Sequence, residues 1–249
     1  MIREERMDCL VQLLREHKYL SVDFLVQTLH YSPATVRRDI KSLVAMGYAR
    51  KSYGGVSLNE QERPFIIREH EYPIEKEEIC RAAAHLICDH DVVFIAGSST
   101  TEHLEKILAE KTGITVVTND PRLAAVTEKM GHKSICTGGV MKDGMMVGSL
   151  GVQCLSQMHY DVCFFSPTGL SDAGELSFVS EEFGYFIQKA IERSEKRVCL
   201  CTANKLGVRA FFCGFDLSAV THVISNADVG VELKETFERT VFLTVHQQI

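Results

Sequence analysis

Ser32-Pro33-Ala34-Thr35-Val36-Arg37-Arg38-Asp39-Ile40-Lys41 joins a marked helix start to an adjacent arginine pair. A serine hydroxyl in the cap position accepts a hydrogen bond from a first-turn N–H. A proline at the first helical position has its φ preset and lacks only a donor that would have had no partner there. Val36, Ile40, Leu43 and Val44 then recur at helical spacing and define one buried stripe. Ser32, Pro33, Ala34, Thr35, Arg37, Arg38 and Lys41 lie at the cap or on the other faces. They are the candidates to meet phosphates and base edges of duplex DNA, as on a recognition helix.

The flanking residues extend this pattern. Upstream, Met7, Leu10, Val11 and Leu14 form an amphipathic helix, and Ser21 caps a second one carrying Val22, Leu25, Val26 and Leu29. Only His30 and Tyr31 separate that helix from Ser32, as a steep helix crossing requires. Downstream, Met46-Gly47 ends the third helix. Tyr48 to Val56 then predicts a two-stranded wing with backbone freedom at Gly54-Gly55 and further DNA-contact candidates at Arg50, Lys51 and Tyr53. Three helices and a wing make a winged helix-turn-helix.

Charge is distributed in the same sense. Residues 1–58 carry nine Lys and Arg against six Asp and Glu, a net of +3, whereas the remainder of the chain carries 18 against 27, a net of −9. A basic head on an acidic body matches a nucleic-acid-binding module joined to something else. The predicted organisation is a DNA-binding domain at 1–58, a polar linker at 59–73 broken by Pro64 and Pro73, and a larger domain at 74–249. No signal peptide or bilayer-spanning stretch is expected, which places the protein in the cytoplasm. The nine cysteines include no Cys-x-x-Cys, and Cys199 and Cys201 share one face of a predicted strand. They are expected to act as small core residues, and neither they nor the ten histidines show metal-ligand spacing. No cofactor is implied.

Beyond the linker, helical and strand patterns alternate. Helices are predicted at Glu75–Cys88, Glu102–Glu110, Pro121–Met130, Leu150–Met158 and Glu181–Ser194. Strands are predicted at Val92–Ala96, Ile114–Thr118, Ser134–Cys136, Val162–Phe165 and Val198–Cys201. Such alternation indicates an α/β domain around a mostly parallel sheet, in which ligands bind beyond the carboxyl ends of the strands. Those ends hold Gly97-Ser98-Ser99-Thr100-Thr101, Thr118-Asn119-Asp120, Thr137-Gly138-Gly139 and Ser166-Pro167-Thr168-Gly169, with Lys205 just past the last predicted strand. Loops rich in N–H groups, hydroxyls and a lysine suit a phosphorylated small molecule.

With these motifs in view, the chain resembles the DeoR family of bacterial transcriptional regulators from about Arg6 to Asp228. The resemblance rests on the Ser32–Ile40 motif with Leu43, Gly47, Gly54 and Gly55, and in the body on Val116-Val117-Thr118-Asn119, Gly138-Gly139, Val147-Gly148, Asp161, Gly169 and Lys205. It implies operator binding by the head and a sensor domain similar to ribose-5-phosphate isomerase. It also implies a phosphorylated sugar or related effector, a homo-oligomer, and a repressor of carbohydrate metabolism genes. The effector candidates are Gly97, Ser98, Ser99, Thr100, Asn119, Gly138, Gly139, Gly169 and Lys205. Two family carboxylates are absent: Ala96 and Thr202 stand where acids commonly precede the corresponding loops.

The rival reading is a sugar-phosphate isomerase-type enzyme with an accessory DNA-binding head. Proton abstraction beside a carbonyl needs a positioned base. The loops contain only Asp120, with Asp161 at the start of a strand, so no catalytic residue is assigned.

Overall fold

The computed structural model describes residues 6–7, 9–10, 13–14, 17–45, 49–58, 68 and 71–245. The chain divides into two compact units, Met1–Arg68 and Glu69–Ile249.

In the first unit the described residues from 6 to 17 are helical, and Leu10 and Leu14 among them are buried. Strand β1 (Tyr19–Ser21) leads into helix α1 (Val22–Leu29), whose start is fixed by the Phe24 N–H donating to Ser21 Oγ at 3.1 Å. α1 ends at His30, which takes a left-handed φ of 56° and returns its N–H to the Val26 carbonyl. Helix α2 (Pro33–Ala45) begins as its cap signals predict, the Thr35 N–H donating to Ser32 Oγ at 3.2 Å. Val36, Ile40 and Leu43 close the core against Leu10, Leu14, Leu25 and Leu29. The expected helix end at Met46-Gly47, and Tyr48, fall outside the described residues.

The wing departs from the expected two strands. β2 (Ala49–Ser52) and β3 (Gly55–Leu58) pair antiparallel, and β1 adds on the far side of β3, giving the order β1-β3-β2. The two glycines differ in purpose. Gly54 takes a φ of 74° at the turn, while a Cβ on Gly55 would stand 2.1 Å from the Leu20 carbonyl oxygen, so Gly55 allows the close approach of β1.

The second unit opens with helix α3 (Pro73–Ala82), followed by a 3₁₀ turn at Ala84–Leu86 in place of one continuous helix to Cys88. Pro73 starts α3 rather than breaking structure there, since the first helical position needs no donor. There follow β4 (Val92–Ile95), a 3₁₀ turn at Thr101–Leu104 running into the short α4 (Glu105–Leu108), β5 (Thr115–Thr118), α5 (Pro121–Lys129) and β6 (Lys133–Cys136). An antiparallel hairpin that the sequence pattern did not predict, β7 (Val140–Lys142) with β8 (Met145–Val147), precedes α6 (Ser149–Ser156) and β9 (Tyr160–Phe165). Then come β10 (Gly169–Leu170), β11 (Glu175–Phe178), α7 (Glu181–Glu192), β12 (Ser194–Cys201), β13 (Phe212–Asp216), β14 (His222–Ser225), α8 (Val231–Thr236) and β15 (Val241–Thr244).

Seven of these strands form one parallel sheet in the order β15-β14-β12-β9-β4-β5-β6. Its faces are set by strand alternation. Val93 and Ile95, Val162 and Phe164, and Val198 and Leu200 enter one core, while Phe94, Cys163, Phe165, Cys199 and Cys201 enter the other. Both faces are therefore buried, which is why the strands are nearly all apolar. A separate antiparallel sheet, β10-β11-β13, extends the second core through Leu170, Leu176 and Phe178.

Candidate functional site

The five basic candidates of the first unit all stand in solvent: Arg37, Arg38 and Lys41 on α2, Arg50 and Lys51 on β2. Among the described residues none of the five has a carboxylate partner. Arg6 is the contrast, since its guanidinium is held by Asp39, Nε to Oδ2 at 2.5 Å and Nη2 to Oδ1 at 3.1 Å. That hydrogen bond raises the Arg6 pKa further above its ordinary value. Pro33 and Ala34 are exposed. Ser32 and Thr35 are tied to each other, hydroxyl to hydroxyl, at 3.0 Å. Tyr53 is fully exposed at the turn of the wing, with its carbonyl accepting from the Tyr19 hydroxyl at 3.0 Å.

In the second unit the strand order puts a reversal between β4 and β9. The chain moves from β4 through β5 to β6 on one side, then from β9 through β12 and β14 to β15 on the other. In an open parallel sheet the loops diverge at such a point and leave a crevice at the carboxyl ends. Here the loop after β4, Gly97–Thr101, faces the loop after β9, which starts at Ser166.

Lys205, on a 3₁₀ turn just beyond β12, ties the two loops together. Its Nζ donates to Ser166 Oγ at 2.6 Å and to Thr100 Oγ1 at 3.4 Å, and Ser166 Oγ donates in turn to the Leu200 carbonyl. Ser98 organises the loop from within. Its Oγ accepts the Thr100 N–H at 3.3 Å and the Thr101 N–H at 3.1 Å, and Thr101 Oγ1 donates to the Ala96 carbonyl at 2.6 Å. From the other side Lys76 of α3 reaches Ser99 Oγ at 3.1 Å.

The remaining candidates are placed differently. Asn119 is a clamp: Oδ1 accepts the Gly97 N–H at 2.7 Å and Nδ2 donates to the Met146 carbonyl at 3.0 Å, holding the hairpin against the β4 loop. Gly97 lies under that hairpin, where a Cβ would meet Met145 Sδ at 2.1 Å. Gly138 and Gly139 follow β6 at the sheet edge, two strands from the reversal. A Cβ on Gly139 would stand 2.3 Å from the Val147 carbonyl oxygen, so it shapes the start of the hairpin. Gly169 belongs to β10, and a Cβ there would meet the Val208 carbonyl oxygen at 2.3 Å. The structure thus gathers Gly97, Ser98, Ser99, Thr100 and Lys205 at the crevice, with Asn119 behind them, and sets Gly138, Gly139 and Gly169 outside it.

Acidic groups near these loops are engaged. Asp120 caps α5 by accepting the Arg122 N–H at 2.9 Å and pairs with the Arg122 guanidinium at 3.1 Å. Asp161 lies at the opposite edge of the sheet and accepts the Val92 N–H at 2.7 Å. Burial, above all, pushes the Cys80 thiol far up, and pushes Cys163 and Cys201 up to about 11, so these cysteines stay protonated and unreactive. His103, at the end of the loop, is held below its ordinary value by burial first and by Lys76 next. A cavity of about 440 Å³ also lies at the amino edge, among His159, Asp161, Glu192 and Arg193. In the crevice itself the Lys205 side chain bridges the two loops. Among the described residues no cluster of three or more His, Cys, Asp or Glu could hold a metal ion, and no helix is long and apolar enough to cross a membrane.

Lys76 was missed in the sequence, although a signal was present. It falls three, four and seven residues before Ile79, Cys80 and Ala83, which makes it a lysine on the apolar face of an amphipathic helix.

Helix-turn-helix head and α/β ligand domain together define a ligand-responsive DNA-binding regulator. Residues 6–62 match the family model for the DeoR-like helix-turn-helix domain, and residues 72–227 match that for the DeoR C terminal sensor domain. The chain belongs to the DeoR family of transcriptional regulators. It is 28% identical over 232 residues to the HTH-type transcriptional repressor GlcR of Bacillus subtilis, covering 91% of this chain and 89% of that one. To the lactose phosphotransferase system repressor of Streptococcus mutans it is 27% identical over 249 residues, 96% of this chain and 98% of the other. Among solved structures, ribose 5-phosphate isomerase A of Methanocaldococcus jannaschii aligns with a TM-score of 0.40 and 13% identity over 53% of each chain.

Proposed function

We propose that the protein is a repressor of carbohydrate metabolism genes that binds operator DNA as a homo-oligomer and is controlled by a phosphorylated sugar or related metabolite held at the β4/β9 crevice. The observation that carries the reading is the pairing of two features in one chain: five exposed cations on the head that have no carboxylate partner among the described residues, and a hydroxyl- and lysine-lined loop at the sheet reversal of the body. Relatives named as repressors, one of them of a lactose phosphotransferase system, support it.

Arg37, Arg38, Lys41, Arg50 and Lys51 supply phosphate contacts, while Ser32, Pro33, Ala34, Thr35 and Tyr53 complete the surface that meets the duplex. Two heads of a dimer enter successive major grooves. Effector and DNA are linked through a coupling of about 1–3 kcal/mol. An isomerase would need a free base beside the bound carbonyl, and Asp120, the acid in the loop after β5, is occupied as a helix cap and ion pair.

The test is a salt titration of binding to a duplex, read by fluorescence anisotropy. With about eight phosphates neutralised per dimer, log affinity falls with log salt at a slope of about −7, and removing Arg37 and Arg38 together lessens the slope by about 3 to 4. A slope near zero overturns the DNA-binding surface. Sustained conversion of an aldose phosphate, abolished by Lys205→Ala, overturns the regulator in favour of an enzyme.

A further inference from the structure

β15 is the outermost strand of the seven-stranded sheet, and only one of its edges is used. The Val241 and Val245 N–H groups donate to the Thr221 and Ser225 carbonyls at 2.8 and 2.7 Å, so these residues, and Leu243 between them, turn their backbone toward β14. By strand alternation the N–H and C=O groups of Phe242 and Thr244 turn the other way, where no strand pairs with them among the described residues. The side chains alternate as well. Phe242 packs against the core that holds Phe94 and Val223, while on the opposite face Val241 and Leu243 are 56% and 39% exposed and Val245 packs against the core of Val93 and Ile224.

Open sheet edges are ordinarily guarded by charge, proline or a bulge. The strand at the other edge of the sheet, β6, begins with the exposed Lys133. β15 has no such guard: Val241-Phe242-Leu243-Thr244 carries no charge and no proline, and its register against β14 is unbroken. Beyond the head the chain has a net charge of −9, so two copies of the body repel each other except where a neutral strip lets them meet.

We propose that two copies of the chain join edge to edge through β15, antiparallel about a two-fold axis at Leu243, an assignment that rests on the homo-oligomer reading above and gives it a surface. In an antiparallel pair, residues that exchange both hydrogen bonds alternate with residues that exchange none. With the axis at Leu243, Phe242 lies opposite Thr244 of the partner subunit and Thr244 opposite Phe242 of the partner subunit, so every outward donor and acceptor of both residues is used. Leu243 meets Leu243 of the partner subunit in a non-hydrogen-bonded pair, and the exposed apolar face of each strand continues into the other. One edge supplies both halves of the pattern, as an isologous contact requires, which is why the occupant is a second copy rather than a foreign strand. A contact of one short strand per copy is at the small end of the interface range, below about 1,200 Å² in all, so the dimer is weak alone and is reinforced when both heads sit on one duplex.

The experiment is sedimentation velocity of the full chain across a hundredfold range of concentration, with amide hydrogen exchange read at the same concentrations. The wild type dimerises, and the Phe242 and Thr244 amides gain protection as it does. Thr244→Pro removes an outward N–H while leaving the bonds to β14, and it raises the dimer Kd at least tenfold. Leu243→Lys sets two ammonium groups together at the axis and does the same. Leu243→Cys, treated with oxidised glutathione, gives a 243–243 disulfide found by peptide mass mapping, since Cα atoms of a non-hydrogen-bonded pair stand about 4.5 Å apart. Val241→Cys gives no 241–241 link.

Far-UV circular dichroism and the thermal midpoint follow the folding of each variant. Should Thr244→Pro and Leu243→Lys fail to fold, the Leu243→Cys link and the wild-type exchange decide. A dimer unchanged by both substitutions, or a folded Leu243→Cys that gives no link, overturns the β15 pairing and leaves the homo-oligomer standing on another face. Protection of the Phe242 and Thr244 amides that is equal at every concentration also overturns it, the edge then being covered by the chain itself. A wild type that stays monomeric at every concentration, and when bound to a duplex carrying two half-sites, overturns both.

Discussion

Asp39 is an acid on the helix that carries the proposed DNA-contacting arginines, and its removal tests how the head is held together. Its side chain is 2% exposed and that of Arg6 is 12% exposed, and the two form a two-point pair of 2.5 and 3.1 Å. The Arg6 guanidinium also lies 4.7 Å from the centroid of the Tyr31 ring. Asp39→Ala therefore leaves a guanidinium with little water and with Tyr31, through its ring face and a side-chain hydrogen bond, as the remaining partner. Breaking a buried ion pair on one side destabilises by about 3–5 kcal/mol. The ring retains about 1 kcal/mol of attraction for the cation, so a loss of about 3 kcal/mol is expected.

A domain of this size has only a few kcal/mol in hand. Much of the DNA-binding unit would unfold in Asp39→Ala at ambient temperature. Arg6→Met should be similarly damaging because it strands the carboxylate, whereas Arg6→Met combined with Asp39→Leu should recover most of the loss, since a buried pair replaced by apolar groups is often neutral. The assay is urea denaturation of the full chain followed by far-UV circular dichroism, with the four proteins arranged as a double-mutant cycle. A coupling energy below about 0.5 kcal/mol would refute the argument, because the pair would then be no stronger than an exposed one.

Two further outcomes follow from the body. Gly139→Ala should destabilise by about 3 kcal/mol, since its φ of 128° is strained for alanine and its Cβ would meet the Val147 carbonyl oxygen at 2.3 Å. Gly131→Ala, with a φ of 89° and nothing within 4 Å, should lose only about 1 kcal/mol, and equal losses in denaturant melts would contradict the close-contact argument. His103 and His222 both titrate below their ordinary value, through burial first and then Lys76 for His103 and His85 and Lys196 for His222. The unfolded chain therefore binds protons at a higher pH than the folded one, and stability should be full above about pH 6.5 and fall as pH drops below it. A thermal midpoint independent of pH between 7 and 5.5, or NMR titration of both rings at 6.5 or above, would contradict this.

The starts of α1 and α2 in the head were legible because their signals are local. Ser21 and Ser32 sit within three residues of the N–H groups they accept from, and the stripe of Val36, Ile40 and Leu43 repeats within one helix. The alternation of the body was legible for the same reason, down to β4, β5, β9 and β12. β1 was not: three residues carry almost no pattern, and what makes them a strand is pairing with β3 more than thirty positions away. The sheet β10-β11-β13 and the hairpin β7–β8 escaped likewise, being short segments stabilised by partners rather than by periodicity.

For the crevice, the residue types at strand ends were readable one loop at a time, but their assembly was not. The central parallel strands β4, β5, β9 and β12 look alike in sequence, because their carboxyl halves are buried on both faces, so nothing local tells that β4 lies beside β9 and that the loops of Ser98 and Ser166 meet. That adjacency, together with the burial of Lys76 and the clamp made by Asn119, arises from contacts between residues 22 to 105 positions apart. Chain chemistry decided which groups were available to hold an anion, and packing of the sheet decided which of them stand together, since distance along the chain places no limit on distance across a folded core.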